Sequence, residues 1–172
     1  MKPWLSALIA LCFAPAAFAQ QQTSPNCGAP EHRAFDFWIG EWNAYVTGTD
    51  NLAGRSSIRS EDGGCVITEH WQSVGSPYSG RSLNSYDRTS GQWNQFWVDS
   101  TGEVTRFAGG PHVGGMRLTD PANRGGGWQG EVHTRMTFTP NPDGSVRQHG
   151  ETSPDGETWT SRYDFTYRRR AD

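Results

Sequence analysis

From residue 42 onward, apolar and polar residues alternate in short runs that are separated by turn signals. Trp42, Ala44 and Val46 show the period of two that is expected of a strand with one buried face. Between the runs lie Asp-Gly pairs and other glycines, which supply the positive φ angles of tight hairpins. The pattern predicts ten strands, at residues 41–48, 54–60, 65–74, 80–87, 92–99, 103–109, 115–119, 130–139, 145–152 and 158–168.

The segment before the first strand has a different period. Trp38 and Ile39 follow Phe35 at distances of three and four residues, which places all three on one face of a helix. Gly40 then separates this helical turn from the alternating run that starts at Trp42. The sequence therefore predicts a short helical plug, built around Phe35, Phe37 and Trp38, that leads into strand one.

The connections between the predicted strands decide how they pair. Such short turns cannot form parallel crossovers, so neighbours in sequence are expected to be antiparallel neighbours in the sheet. Ten strands leave two exposed edges unless the sheet closes on itself. We therefore predict an all-β fold, a single antiparallel up-and-down β-barrel of about ten strands with a short N-terminal helical plug. A two-sheet sandwich is the alternative.

A capping turn of helix followed by Gly-x-Trp on the first strand resembles the calycin superfamily of lipocalin-like barrels. The likeness covers residues 31–170. Within this superfamily, the chain resembles a family of secreted bacterial barrels known only as a domain of unknown function. Nitrobindin-like haem barrels and fatty-acid-binding proteins are more distant cousins. The motifs that carry it are FDFWIGEW (35–42), GCVITEHW (64–71), GRSLNSYD (80–87), GQWNQFWVD (91–99) and DGETWTSRYDFTYRR (155–169).

This resemblance implies structural and cofactor roles for particular residues. Calycins lay a late-strand arginine across the tryptophan of strand one, so Arg169, with Arg168 second, is expected against Trp42, beneath a plug that includes Trp38. Nitrobindin-like barrels bind haem through a barrel histidine. We expect no cofactor here. Haem is the minor alternative, through His133 or His149 if either side chain faced inward.

The inner faces of strands three to five combine large aromatic and polar side chains. A dry core would favour aliphatic residues, whereas aromatic walls with a few polar groups are typical of ligand pockets. The alternative is a filled barrel in which Glu69 pairs with an interior arginine such as Arg106 or Arg135. The last strand adds Trp159, Tyr163, Phe165 and Tyr167 to the predicted inner face, and strand five adds Asp99. The predicted ligand-binding residues are Glu69, Trp71, Asn84, Tyr86, Trp93, Gln95 and Trp97.

The first residues read as a targeting segment. Lys2 precedes an apolar run that ends in Ala17-Phe18-Ala19, the basic start, hydrophobic middle and small-residue end of a signal peptide. The predicted organisation is a signal peptide at 1–19, an N-terminal extension at 20–30 and the barrel at 31–170. We therefore expect a periplasmic or secreted protein without stable membrane insertion after cleavage.

Two cysteines follow the predicted signal peptide, Cys27 and Cys65. An even pair in an oxidising compartment indicates a disulfide, which would join the plug region to strand three. A free catalytic thiol is the rival interpretation, but neither cysteine has a base beside it in the sequence.

Charge and motifs exclude several classes of function. The chain has 15 basic and 18 acidic residues, a formal net charge of −3, which gives no electrostatic reason to expect nucleic acid as a partner. The five histidines lack metal-ligand spacing, so no metal site is predicted. The glycine-rich segment 124–130 contains G-x-G-x-x-G outside any βα unit, and we interpret it as a loop at a barrel mouth.

The leading functional hypothesis is an exported, non-catalytic barrel that holds a small-molecule ligand. The alternatives are a small envelope hydrolase or isomerase that uses Glu69, Asp99 or a histidine, and a barrel filled by its own side chains. A cavity would separate the last of these from the other two. A strongly raised carboxylate pKa in that cavity would favour the enzyme.

Overall fold

The computed structural model describes residues 27–120 and 133–170. One short helix, α1 (Pro30–Arg33), and a 3-10 turn (Asp36–Trp38) precede the sheet, and a second 3-10 turn (Asp62–Gly64) lies between strands two and three. The strands are β1 (Gly40–Val46), β2 (Leu52–Glu61), β3 (Val66–Ser73), β4 (Ser79–Asp87), β5 (Gln92–Asp99), β6 (Val104–His112), β7 (Gly115–Thr119), β8 (His133–Pro140), β9 (Val146–Ser153) and β10 (Thr160–Arg169).

The ten strands form one closed antiparallel barrel. Each strand pairs with its neighbours in sequence, and β1 pairs with β10, with Trp42 opposite Arg169 and Val46 opposite Phe165. The predicted fold class is therefore confirmed, and the two-sheet sandwich is wrong. Closure leaves no edge strand unpaired, which explains how short strands with polar outer faces remain a stable sheet.

The N-terminal plug fills one end of this barrel. Pro30 starts α1 at a position where its missing N–H costs no helical bond. Phe35 and Trp38 are fully buried and stacked, with ring centroids 4.9 Å apart, and Phe138 of β8 lies 4.9 Å from each. Because the plug inserts bulky rings between opposite walls, this end has a continuous aromatic core.

Trp42 and Arg169 join the plug to the seam between β1 and β10. Trp42 is fully buried, and its Nε1 donates to the carbonyl oxygen of Trp38 at 2.9 Å. The Arg169 guanidinium lies 4.1 Å from the centroid of the Trp42 ring and donates to the Ile39 carbonyl oxygen at 2.8 Å. Gly40 has a φ of 149°, and a Cβ there would collide with Arg169. Glycine is therefore required for the arginine to reach the tryptophan.

Cys27 and Cys65 form the predicted disulfide. Their Cα atoms are 5.1 Å apart and the bridge spans 38 residues. A loop of this length is expected to add about 4 kcal/mol to the free energy of unfolding in the chain-entropy description. The bridge lies at the plug end, where Cys65 immediately precedes β3.

Strand direction assigns every residue to one end of the barrel. β1 starts at the plug, so odd strands run away from it and even strands run toward it. We use "closed half" for the part nearest the plug, which includes the start of β5 and the end of β4. "Open half" denotes the opposite part, which includes the end of β3 and the start of β10.

Trp159, which was predicted to face inward, faces outward because of a β-bulge. The pairing between β9 and β10 shifts register between Ser161 and Tyr163, which reverses the side of the sheet that each residue before the bulge faces. Tyr163 therefore points inward, whereas Trp159 precedes β10 and lies on the outer surface, with Arg135 3.8 Å from its ring centroid. Alternation alone placed Trp159 on the wrong face.

Several predictions fall on parts of the chain outside the described residues. These are the signal peptide at 1–19, residues 20–26 of the extension, most of the glycine-rich segment 124–130 and the predicted start of strand eight before His133. Within the ranges 27–120 and 133–170, no helix is long and apolar enough to cross a membrane.

Candidate functional site

The open half of the barrel encloses a cavity of about 310 Å³. Side chains from β3, β5, β6, β8, β9 and β10 converge on it, because all of these strands direct alternate residues inward at this height. The lining residues are Glu69, Trp71, Ser73, Tyr78, Gln95, Trp97, Thr105, Phe107, Met136, Gln148, Tyr163, Phe165 and Tyr167. A barrel filled entirely by its own side chains is therefore not what this sequence forms.

The structure divides the seven predicted ligand-binding residues between the two halves. The cavity is lined by four of them, Glu69, Trp71, Gln95 and Trp97. The other three, Asn84, Tyr86 and Trp93, do not line it. All seven face inward, as the alternation predicted, but these three lie toward the plug.

Trp93 and Tyr86 belong to the packing of the plug. The Trp93 ring meets Phe35 edge-on at 5.6 Å, and its Nε1 donates to the Glu31 carbonyl oxygen at 3.0 Å. Tyr86 contacts the buried His32 ring edge-on at 5.0 Å. Since β5 starts and β4 ends at the plug, these two residues are too far along the barrel to reach the cavity.

Asn84 is a structural amide rather than a ligand-facing one. Its Nδ2 donates to the Ile67 carbonyl oxygen and to Ser82 Oγ, both at 2.9 Å, and its Oδ1 accepts from Gln95 Nε2 at 2.8 Å. The structure therefore places this predicted ligand-binding residue in the hydrogen bonding of the barrel wall.

Glu69 places a carboxyl group in the cavity wall. It is 5% exposed; Oε1 accepts from Ser56 Oγ at 2.9 Å and Oε2 from Ser82 Oγ at 3.2 Å. Burial raises the pKa of Glu69 to about 7, and the two serine hydrogen bonds offset this only in part. Near neutral pH the group therefore exists in both protonation states.

The polar groups beside Glu69 form one continuous ladder across β3, β4 and β5. Gln95 donates to Asn84, Asn84 donates to Ser82, and Ser82 donates to Glu69. Each donor in this hydrogen-bond ladder also orients the next one, so residues of the barrel wall fix the position of the carboxyl group. Glu69 thereby keeps a fixed position at the edge of the cavity.

Three aromatic rings lie flat against the barrel wall because the positions beneath them are glycines. An ideal Cβ on Gly54 would lie 2.4 Å from the Trp71 ring, on Gly80 2.2 Å from the Trp97 ring, and on Gly150 2.3 Å from the Tyr163 ring. Any larger residue at these positions would push a ring into the cavity. The glycines therefore help to keep the interior of the open half empty.

A second polar group faces Glu69 from β9 and β10. Tyr167 donates its hydroxyl to Gln148 Oε1, and Gln148 Nε2 donates to the Tyr163 hydroxyl at 3.2 Å. Burial, followed by the charge of Glu69, raises the pKa of both tyrosines well above its ordinary value. Both phenols therefore stay neutral at physiological pH and serve as hydrogen-bonding groups.

One hydroxyl in the cavity wall is left unsatisfied. Thr105 is 2% exposed, and its Oγ1 has no hydrogen-bond partner among the described residues. A buried hydroxyl without a partner loses the hydrogen bonds that it would make with water. The burial of this hydroxyl therefore has an energetic cost that no hydrogen bond within the described wall offsets.

Neither arginine that was considered as a partner for Glu69 enters the barrel. Arg106 lies over the outer-face ring of Phe96, with its guanidinium carbon 4.9 Å from the centroid. Arg135 forms a two-pronged ion pair with Glu151, at 2.6 and 2.8 Å. The interior ion pair is therefore wrong, because both strands direct these side chains outward.

Asp99 is engaged at the rim rather than in the cavity wall. Its Oδ2 accepts from the Tyr78 hydroxyl at 3.1 Å, and its Oδ1 accepts from the Thr101 hydroxyl at 2.6 Å. Although partial burial acts to raise it, the pKa of Asp99 is lowered, because these hydrogen bonds and those from the Thr101 and Glu103 amides favour the carboxylate. Asp99 caps a turn and remains ionised.

The histidines do not fit a haem site in this barrel. The outward-facing His149 has its Nε2 3.0 Å from Ser161 Oγ, and His133 alternates with the buried residues of β8. Neither lines the cavity. In the part of the chain that the structure describes, no group of three or more His, Cys, Asp or Glu residues is arranged to hold a metal ion.

Much of the cavity wall escaped the sequence-based prediction. Tyr163, Phe165 and Tyr167 were placed on an inner face but not at the site. Thr105 and Gln148 were not singled out, although the period of two on β6 and β9 also directs them inward. The usable signal is strand direction: on odd strands the residues farthest from the plug are late, and on even strands they are early.

Comparisons with known proteins add no assignment. No protein-family model matches the sequence, and no curated protein matches it. The closed ten-stranded barrel therefore rests on the structure, and any narrower family assignment rests on the motifs alone.

Proposed function

We propose that this protein is an exported barrel that binds a small, amphipathic molecule in the cavity of its open half. The observation that carries the proposal is the cavity of about 310 Å³, in which aromatic walls surround the buried Glu69 carboxyl group. Empty volume destabilises a fold, and the Glu69 oxygens have acceptor positions that the wall does not use, so the two together support a ligand that fills the cavity and bonds to the carboxyl group.

The size and lining of the cavity limit the ligand. Binding sites for small molecules span roughly 300–1,000 Å³, so this one accepts a compact ligand of about one ring system. Ring faces from Trp71, Trp97 and Phe165 favour an aromatic or flat apolar body, and Glu69 requires one hydrogen-bonding group.

Export and family membership are parts of the same proposal. The disulfide between Cys27 and Cys65 supports an oxidising compartment, such as the periplasm or the extracellular medium. The Arg169–Trp42 contact at the closed end supports a calycin-like, secreted lipocalin-type barrel. The partner proposed is a small molecule, with neither nucleic acid nor a membrane.

Native mass spectrometry of the protein purified from its own host tests the proposal. A retained small molecule, released on denaturation, is the expected result, and its mass gives the ligand class directly. As a control, the same protein unfolded, dialysed and refolded should lose that mass. A bare polypeptide mass from the host, together with no stabilisation by any small aromatic compound, would contradict ligand binding.

A second candidate function is proton transfer by Glu69. A carboxyl group whose pKa lies near 7 can take up and return a proton at neutral pH, which is what a general acid–base catalyst requires. A hydrolase with Asp99 as the second carboxylate is less well supported, because Asp99 caps the turn at the rim. One buried carboxyl group fits a one-base isomerase better.

Turnover separates this candidate from simple binding. An isomerase that uses Glu69 should exchange a substrate C–H proton with solvent, and ²H incorporation into the retained molecule in D₂O measures it. Glu69→Gln should abolish this exchange while the molecule still binds. A molecule that binds for days without exchange identifies the protein as a binder.

A further inference from the structure

Among the described residues, the cavity lining contains one carboxyl group and no basic side chain. Four of its lining residues titrate, and they are Glu69, Tyr78, Tyr163 and Tyr167. No lysine, arginine or histidine is among the described lining residues. Burial raises the pKa of each tyrosine, that of Tyr78 to about 12, so Glu69 is the one group in this set that changes charge near neutral pH.

Glu69 retains capacity for another hydrogen-bond donor. Each of its oxygens accepts one bond, from Ser56 and from Ser82, whereas a carboxylate has about four acceptor positions. Neutral hydroxyl donors also leave its charge uncompensated. A buried carboxylate without a cationic partner either takes up a proton or pairs with a cation that the cavity admits.

The aromatic wall beside Glu69 suits the apolar body of such a ligand. Trp71 stacks on Phe165 with centroids 5.6 Å apart, and Phe165 stacks on Tyr163 at 5.1 Å, so three rings form one continuous stack. Because the rings cover one another's faces, the stack offers a guest mainly apolar ring edges. A carboxylate ligand would be repelled by Glu69, and no described lining residue would supply a cation to pair with it.

We propose that the cavity selects small organic amines, with a protonated amino group on Glu69 and an aromatic or compact apolar body against the Trp71–Phe165–Tyr163 stack. This inference rests on the proposed ligand-binding function and adds a charge class to it. It also separates this barrel from any carrier of fatty acids or other carboxylates, for which the interior charge has the wrong sign.

The ionisation of Glu69 makes amine binding depend on pH. The groups that face it are the Ser56 and Ser82 hydroxyls of β2 and β4 and the neutral phenols of Tyr163 and Tyr167 on β10. With a pKa of about 7, its ionised fraction rises about tenfold from pH 6 to pH 8. The affinity for an amine that stays protonated should rise by the same factor.

Isothermal titration with three compounds on one carbon skeleton tests the selectivity. The probes are 2-phenylethylamine, 2-phenylethanol and phenylacetate, which differ chiefly in charge. At pH 8 we expect the amine to bind at least tenfold more tightly than the alcohol, and phenylacetate at least tenfold more weakly. From pH 6 to pH 8 the amine affinity should rise about tenfold while the alcohol affinity stays constant.

Glu69→Gln keeps the shape of the side chain and removes its charge. It should abolish the preference for the amine over the alcohol and the pH dependence of amine binding. Glu157→Gln, which makes the same chemical change on the exposed surface, should leave all affinities unchanged. Should Glu69→Gln fail to fold, the pH series on the wild-type protein makes the same test.

The outcomes separate this inference from the function on which it rests. Binding of the alcohol with no advantage for the amine at pH 8, or an amine preference that survives Glu69→Gln, overturns the charge selectivity and leaves the ligand-binding function in place. An acid as the molecule retained from the host has the same consequence. If none of the three probes binds and no host molecule is retained, both proposals fail.

Discussion

The two halves of this barrel use aromatic residues for opposite purposes. In the closed half, Phe35, Trp38 and Phe138 interlock from different walls and fill the space between them. In the open half, Trp71 and Trp97 lie flat over glycines of the wall and leave the centre empty. The same residue type therefore builds a core or a container, depending on whether the neighbouring position has a side chain.

Polar groups distinguish the halves less sharply. The Asn84 amide, on the closed side of the ladder, is fully paired within the wall. Glu69 and Thr105, on the open side, keep unused hydrogen-bonding capacity. Buried nitrogens of His32 and Trp38 in the plug also lack a hydrogen-bond partner among the described residues, so the halves differ in empty volume rather than in the pairing of their polar groups.

The largest effect on stability is expected for Trp42→Ala, a substitution in the closed half. Removing a fully buried indole from the closed half should lower the free energy of unfolding by about 3–5 kcal/mol. The matched change Trp97→Ala, at a ring that borders the cavity, should cost less than about half as much, because fewer contacts are lost. Urea unfolding measures both. Equal losses would show that the halves do not differ in packing.

The next effect comes from the buried charge of Glu69. Because the pKa is raised from 4.5 to about 7 on folding, the native state holds its proton more tightly than the unfolded state does. The tighter proton binding adds about 3 kcal/mol to the free energy of unfolding below about pH 4.5, and this stabilisation is lost as the pH rises to about 7.

Glu69→Gln should therefore gain stability relative to wild type between pH 4 and pH 8, by about 3 kcal/mol. Urea unfolding at several pH values gives this difference, in which all other titrating groups cancel. The exposed Glu157→Gln should show none. A difference independent of pH would mean that the carboxyl group is solvated in the native state.

Asn84→Leu tests whether a polar residue at the boundary between the halves serves stability or ligand binding. This substitution leaves the Ile67 carbonyl and the Gln95 amide without their partner, so the free energy of unfolding should fall by about 1–3 kcal/mol. The affinity for 2-phenylethanol should change little, because Asn84 does not line the cavity. A loss of binding with unchanged stability would reverse the assigned role.

The smallest effect on stability is expected for Gly80→Ala. The added methyl group displaces the Trp97 ring into empty space, so stability should change by no more than about 1 kcal/mol, whereas 2-phenylethanol should bind several-fold more weakly. Gly110→Ala is the control, since a Cβ there meets nothing within 4 Å. Titration and thermal unfolding of both variants decide whether the glycine keeps the cavity open.

The fold was predictable because its determinants are local. Turn glycines, alternation and short connections specify ten antiparallel strands, and the cost of open edges specifies closure. The Arg169–Trp42 contact was expected from the resemblance to calycins, and the Cys27–Cys65 bridge from an even pair of cysteines in an exported chain. The register shift near Tyr163 was not predictable, since a bulge inserts one residue without a sequence signature of its own, and Trp159 was misplaced for this reason.

For the candidate site, the sequence predicted only which side chains point into the barrel. Alternation says which side chains point inward, but it does not say how far along the barrel axis each one lies, so Tyr86 and Trp93 could not be separated from Trp71 and Trp97 by parity. The hydrogen bonds that occupy Asn84 depend on three strands at once. The glycines beneath the rings contact residues of a neighbouring strand, diagonally for Gly54 and Gly80 and directly for Gly150, which no single strand reveals.

The disulfide and the plug secure the same end of the barrel, and this has a kinetic consequence. Backbone amides around Trp42 should exchange with solvent deuterium only through global unfolding, whereas those near Ser73 and Tyr78 should exchange through local opening. If the rim opens in this way while the plug end stays folded, a guest of the proposed kind should leave the interior far faster than the chain unfolds.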